Sequence, residues 1–156
     1  MTRRSALHWL LSCLVLMPVA AALGAGEVKL PVYKLATLPN GAVVALVEKR
    51  DTPLVSMNVT VRGGGLGDPD GRDGTASLFN DLIQKGAGNR NAAQFSEAIE
   101  NVGGSLSAGA GTESIGVNAS FMSRDVDLML ELVADVLQRP RLDAAEFEKA
   151  RTLAMQ

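Results

Sequence analysis

Histidine and cysteine are almost absent from this chain of 156 residues. The single histidine, His8, and the single cysteine, Cys13, both lie within the first 25 residues. If those residues are removed as a leader, no imidazole and no thiolate remains in the chain. Zinc enzymes hold their metal mainly with such ligands, and thiol enzymes need the cysteine itself. The remaining chain is therefore excluded, by itself, from both classes, and it has no means of forming a disulfide.

Aromatic residues and basic runs are scarce as well. Aromatics make up 4% of the chain, and the net charge of -2 arises from charges of both signs spread along it. Nucleic-acid binding relies on clustered Lys and Arg, so no nucleic acid is expected as a partner. Serine catalysis without histidine would need a buried lysine, and Lys85 and Lys149 are predicted to be solvated near helix ends.

The first 25 residues have the pattern of a signal peptide. Arg3 and Arg4 precede an apolar run over residues 6–22, and small residues follow as far as Ala25. This order predicts export through the general secretory route to the periplasm. An uncleaved leader would instead act as a membrane anchor, because the run approaches the length that spans a bilayer. That would be the only contact with a membrane that we expect.

Apolar periodicity after the leader predicts strands. Residues 32–38 and 43–48 flank Asn40-Gly41, a pair typical of the turn in a β-hairpin. Residues 55–61 alternate between apolar and polar side chains, which indicates a half-buried strand. The same alternation predicts a second hairpin over residues 106–121.

Four helices are predicted from apolar faces and capping residues. One covers residues 75–85, and the others begin after Asn91, Ser123 and Asp143. The resulting order predicts an α+β fold, a mixed or antiparallel sheet with helices on one face. The last helix has no stop signal before Gln156, so we expect residues 26–156 to be the amino-terminal part of a domain that continues.

A glycine-rich segment from Gly63 to Gly74 is predicted to be a flexible connection. It does not match a phosphate-binding loop, because no Lys-Ser or Lys-Thr pair follows it. It does not match a calcium-binding loop either, because Arg72 and Phe79 occupy positions that need oxygen ligands.

Seven short motifs occur in one consistent order along the chain. They are Leu38-Pro39-Asn40-Gly41-Ala42-Val43-Val44, Pro53-Leu54-Val55-Ser56, Val61-Arg62-Gly63-Gly64, Gly74-Thr75-Ala76, Lys85-Gly86, Asn101-Val102-Gly103-Gly104-Ser105-Leu106 and Leu132-Val133-Ala134-Asp135-Val136-Leu137-Gln138-Arg139-Pro140. Together they resemble the amino-terminal domain of insulinase/pitrilysin-type metallopeptidases. The resemblance runs from about Leu35 to the end of the chain.

The resemblance also implies where the chemistry of this family has been lost. Active members carry an H-x-x-E-H motif on the helix after the glycine loop, with two histidines that bind zinc and a glutamate that activates water. The matching positions here are Ser77, Asn80 and Asp81. The family's third ligand, a glutamate, would fall just beyond Gln156. We therefore expect these three residues to be a degenerate zinc motif, with no catalytic and no metal-binding residue in this chain.

The resemblance finally implies a function. Some members of the family pair an active subunit with a degenerate one, and the two enclose a chamber for a peptide. We expect this chain to be the non-catalytic subunit, which binds peptide and supports an active H-x-x-E-H partner. No cofactor is expected in it, and zinc is expected only in the partner. The alternative is a stand-alone peptide-binding or scaffolding module of the cell envelope.

Overall fold

The computed structural model describes residues 31–154. The predicted signal peptide, including His8 and Cys13, lies outside the described residues. The chain divides into two compact units, residues 1–49 and residues 50–156. Within residues 31–154, no helix combines the length and the apolar composition that crossing a bilayer requires.

The first unit contributes a two-stranded antiparallel hairpin. Strand β1 (Tyr33–Thr37) pairs with strand β2 (Val43–Val47), and Tyr33 lies opposite Val47. The turn is built as the sequence predicts: Gly41 has a φ of 83°, and the Asn40 side-chain oxygen accepts a hydrogen bond from the Ala42 amide at 3.1 Å. The positive φ at Gly41 costs little because glycine has no Cβ.

The second unit is organised around a three-stranded antiparallel sheet. Strand β3 (Leu54–Arg62) pairs with strand β7 (Ser114–Met122), which in turn pairs with strand β6 (Ser105–Ala110). The order across the sheet is therefore β3-β7-β6. Burial alternates along all three strands, as the polar and apolar alternation predicts.

Helices cover one face of this sheet, so the predicted α+β fold is confirmed. The helices of the described residues are α1 (Thr75–Ile83), α2 (Ala92–Glu100), α3 (Val126–Gln138) and α4 (Ala144–Ala154). Helix α3 packs on the central strand β7, whereas α1 packs on β6 and α4. The largest fully buried side chains lie between the layers: Phe121, Ile83, Met129, Leu132, Val117 and Val136. Burial of this apolar surface is the main source of stability available to a chain without disulfides.

Of two predicted helix caps, one is confirmed and the other is wrong. Asn91 caps α2 in a full capping box with Gln94, as the sequence indicates. The predicted cap at Ser123 is wrong, because Ser123–Asp125 form a 3-10 turn without a side-chain cap and α3 begins at Val126.

The glycine-rich segment is a docked loop rather than a flexible connection, so that prediction is wrong. The amides of Gly63 and Gly65 donate to the carbonyls of Glu113 and Gly111 at 2.9 and 3.0 Å. Gly64 has a φ of 76°, and a Cβ there would lie 2.4 Å from the Gly111 carbonyl oxygen. Only glycine allows the loop to approach the β6-β7 turn so closely.

A small hairpin that periodicity does not reveal follows α1. Strands β4 (Gly86–Ala87) and β5 (Arg90–Asn91) have two residues each, too few to show a pattern. Asp135 on α3 is 2% exposed. One of its carboxylate oxygens forms an ion pair with Arg90 of this hairpin, and the other accepts a hydrogen bond from Arg139. A Cβ on Gly88 would lie 2.2 Å from the Asp135 carboxylate, so the approach again requires glycine.

Candidate functional site

Strand β6 is an open edge of the sheet. Within the described part of the chain it pairs with β7 alone. The Gly111 amide donates to the Ser114 carbonyl at 2.8 Å, which makes that pair a hydrogen-bonded one. Hydrogen-bonded pairs alternate in an antiparallel ladder, so the main-chain N–H and C=O groups of Leu106, Ala108 and Ala110 point away from β7. The edge therefore presents the main-chain N–H and C=O groups of these three residues to an incoming strand.

Helix α1, which carries the three predicted zinc-motif positions, lies beside this edge because it packs on β6. Its amino terminus is capped by a residue outside the helix: the Asp68 carboxylate accepts hydrogen bonds from the amides of Gly74 and Ala76 at 2.7 and 2.8 Å. A carboxylate at this place satisfies orphan amides and favours the positive end of the helix. Sequence reasoning missed Asp68, because it caps the helix across a loop and not from the adjacent position.

The three positions on α1 differ in their surroundings. Ser77 and Asp81 are exposed and lie one helical turn apart on one side. Asn80 is only 8% exposed, and its side-chain oxygen receives no hydrogen bond from any residue in the range 31–154. Buried polar atoms in folded proteins are nearly always paired, so this oxygen is unusual.

A cleft of about 700 Å³ lies alongside the contact between α1 and α4. Ser77, Asp81 and Lys85 line it from α1, and Glu146 and Lys149 line it from α4. Lys149 donates to Glu146 at 2.6 Å. This hydrogen bond and the negative charge of Glu146 raise the pKa of Lys149 above its ordinary value. The cleft is therefore lined by charges of both signs, one pair of which is already matched.

These residues do not fit a zinc ion. Zinc in proteins takes three or four ligands from imidazole, thiolate and carboxylate groups. The motif positions supply one hydroxyl, one amide and one carboxylate. Among residues 31–154 there is no group of three or more His, Cys, Asp or Glu side chains placed to hold a metal.

The face of the sheet away from the helices is polar and uncharged beside this edge. Its side chains form rows across the strands: Ser56 lies opposite Ser120, which lies opposite Ser105, and Asn58, Asn118 and Ser107 form the next row. A shallow trough of about 320 Å³ runs over these two rows.

Comparison with known proteins places this arrangement in a family. The sequence pattern of insulinase, peptidase family M16, matches residues 43–156. The chain belongs to this family. The resemblance seen in the short motifs is thus confirmed for most of its length, and the M16 fold accounts for the sheet and the helices that cover it.

Relatives and solved structures agree with the assignment. The chain is 26% identical over 125 residues to the mitochondrial-processing peptidase subunit beta of Lentinula edodes, covering 80% of this chain and 27% of that protein. It is 26% identical over 126 residues to cytochrome b-c1 complex subunit 1 of Bos taurus, covering 81% and 26%. A crystal structure of a peptidase M16 inactive domain from Pseudomonas fluorescens matches with a TM-score of 0.74 at 20% identity, over 78% of this chain and 30% of that one, which shows the fold.

The chain spans about a quarter of the length of the curated relatives that it matches. The M16 assignment supplies the family and the fold. The reading of Ser77, Asn80 and Asp81 as replaced zinc-motif positions stays a prediction.

Proposed function

We propose that this M16 chain is a non-catalytic subunit that binds an extended peptide along β6 and supports a zinc-bearing partner of the same family. The observation that carries the proposal is the position of α1, with its three zinc-incompetent residues, beside a sheet edge. The outward main-chain groups of this edge have no strand partner among residues 31–154. Adding a strand to such an edge needs main-chain hydrogen bonds and no metal.

The names of two relatives support a role in an assembly. One relative is a processing-peptidase subunit and another is a subunit of the cytochrome b-c1 complex. Membership in multi-subunit complexes is therefore found within this family. We propose further that the present chain is exported to the periplasm, as its first 25 residues indicate, and meets its partner there.

Backbone amide exchange tests peptide binding. An unfolded substrate such as β-casein should slow the exchange of the Leu106, Ala108 and Ala110 amides, because these point to the open edge. Exchange on β3 should be unchanged. Ala108→Pro removes one outward N–H while leaving the ladder to β7 intact, so it should abolish the protection. Ala108→Ser is the matched control, and it should bind as the parent chain does. Unchanged exchange on β6 at saturating β-casein would refute the proposal.

The supporting role is tested by turnover. Adding the purified chain to an M16 homologue from the same cell that retains H-x-x-E-H should raise peptide hydrolysis above that of the homologue alone. Ala108→Pro should remove the gain. A turnover that the chain leaves unchanged argues for the stand-alone module instead.

A further inference from the structure

The polar rows on the outer face of the sheet continue toward the open edge and stop there. On the β3 side, each row is closed by a side-chain hydrogen bond. Ser56 and Ser120 are 3.2 Å apart through their hydroxyl oxygens, and Asn58 donates to Asn118.

The members of the rows on β6 are different. Ser105 and Ser107 are exposed, and neither hydroxyl has a side-chain partner in the described part of the chain. Two hydroxyl groups without a side-chain partner therefore lie at the edge where a strand would be added.

A third row has no side chains at this edge. Thr60 on β3 lies opposite Gly116, and Gly116 lies opposite Gly109. A Cβ built on Gly109 would meet nothing within 4 Å, so open space lies above it. Large side chains on a neighbouring strand commonly lie over such glycines and bury surface there.

The register at the edge brings these three positions close to a bound peptide. Because Leu106, Ala108 and Ala110 offer the outward main-chain groups, positions opposite Ser105, Ser107 and Gly109 are non-hydrogen-bonded pairs. Side chains approach most closely in pairs of this kind, with Cα atoms about 4.5 Å apart.

From this register we infer a preferred peptide, an inference that rests on the proposed binding at β6. The peptide binds antiparallel to β6. From its amino terminus it has five residues in this order: a large aromatic residue, any small residue, a hydroxyl or amide residue, any small residue, and a second hydroxyl or amide residue. The aromatic ring lies over Gly109, and the two polar side chains hydrogen-bond with Ser107 and Ser105. Lysine and acidic residues are disfavoured at the polar positions, because no residue of the two rows is charged.

Fluorescence anisotropy with three labelled heptapeptides tests the preference. The first has the sequence Ala-Tyr-Ala-Asn-Ala-Ser-Ala, the second has lysine in place of Asn and Ser, and the third is the first in reverse order. The first should bind about tenfold more tightly than the second, because two cross-strand polar pairs are lost. It should also bind more tightly than the third, since reversal of an antiparallel strand places the ring over Ser105.

Two variants of the chain assign the effect to the named positions. Gly109→Val fills the open space and should weaken binding of the tyrosine peptide about tenfold, while a peptide with alanine in place of tyrosine is unaffected. Ser107→Ala should remove the advantage of Asn over Ala at the central position and leave the tyrosine preference intact. Ser56 lies on the same face but on the far strand β3. Ser56→Ala is therefore the control, and it should change neither the tyrosine preference nor the preference for Asn.

The outcomes separate this inference from the proposed function. If all three peptides protect β6 from exchange with equal affinity, the edge binds peptide and the preferred sequence is wrong. If none of them and no β-casein protects β6, the proposed function fails and the preference fails with it. Retention of the tyrosine preference in Gly109→Val would overturn the placement of the ring even if the first peptide binds best.

Discussion

Replacing Asn80 with leucine should stabilise this protein, although most buried substitutions destabilise. The side chain is 8% exposed, and its oxygen has no donor among residues 31–154. A buried polar atom without a partner costs about 1–3 kcal/mol. Leucine has nearly the same branched shape and carries no polar atom, so this cost disappears.

The net gain is smaller than the cost that is removed. Leucine is slightly larger than asparagine, and a tight fit costs up to about 1 kcal/mol. We expect Asn80→Leu to raise the free energy of unfolding by about 1–2 kcal/mol, or the thermal midpoint by roughly 3–8 °C for a chain of this size. Urea unfolding followed by circular dichroism measures the first quantity, and a thermal melt measures the second.

The same substitution at a satisfied asparagine is the control. The Asn91 side chain accepts the Gln94 amide at 2.9 Å and caps α2. Asn91→Leu should therefore lower the free energy of unfolding by about 1–2 kcal/mol. If both variants lose stability by similar amounts, the Asn80 oxygen has a donor in the folded chain and the reasoning is refuted.

Three further substitutions test contacts that hold the fold around the site, each by urea unfolding. Asp68→Ala should lower the free energy of unfolding by about 1–2 kcal/mol, because it uncaps α1. Asp70 has no hydrogen bond to lose among the described residues, so the control Asp70→Ala should change stability by less than about 0.5 kcal/mol. Equal losses would contradict the capping role. Gly104→Ala should cost about 1–3 kcal/mol, because its Cβ would lie 2.5 Å from a buried ring on β7, while Gly65→Ala meets nothing within 4 Å and should be nearly neutral. Asp135→Ala should lower the free energy of unfolding by about 2–4 kcal/mol, since a buried carboxylate held by two arginines is lost. A smaller decrease than that of Asp68→Ala would show that the two ion pairs contribute little to stability.

Local patterns predicted the strands and helices well. Alternation along residues 55–61 and 106–121 predicts the three strands of the sheet, because side chains in a strand point alternately to core and solvent. Asn40-Gly41 predicts the first turn, and Asn91 predicts the start of α2. Each of these signals lies within a few residues of the structure that it specifies.

The sequence by itself thus determined the order of the main strands and helices, the α+β class and the absence of histidine and cysteine after residue 25. Only the tertiary structure decided that Asp68 caps α1 across a loop, that the buried Asn80 oxygen has no donor among residues 31–154, and that Ser105, Ser107 and Gly109 lie on a strand that is an edge within that range. Periodicity reports which face of a strand or helix is apolar, because that depends on neighbours in the chain. Which strand lies at an edge, and which helix lies beside it, depends on contacts between residues far apart in the sequence.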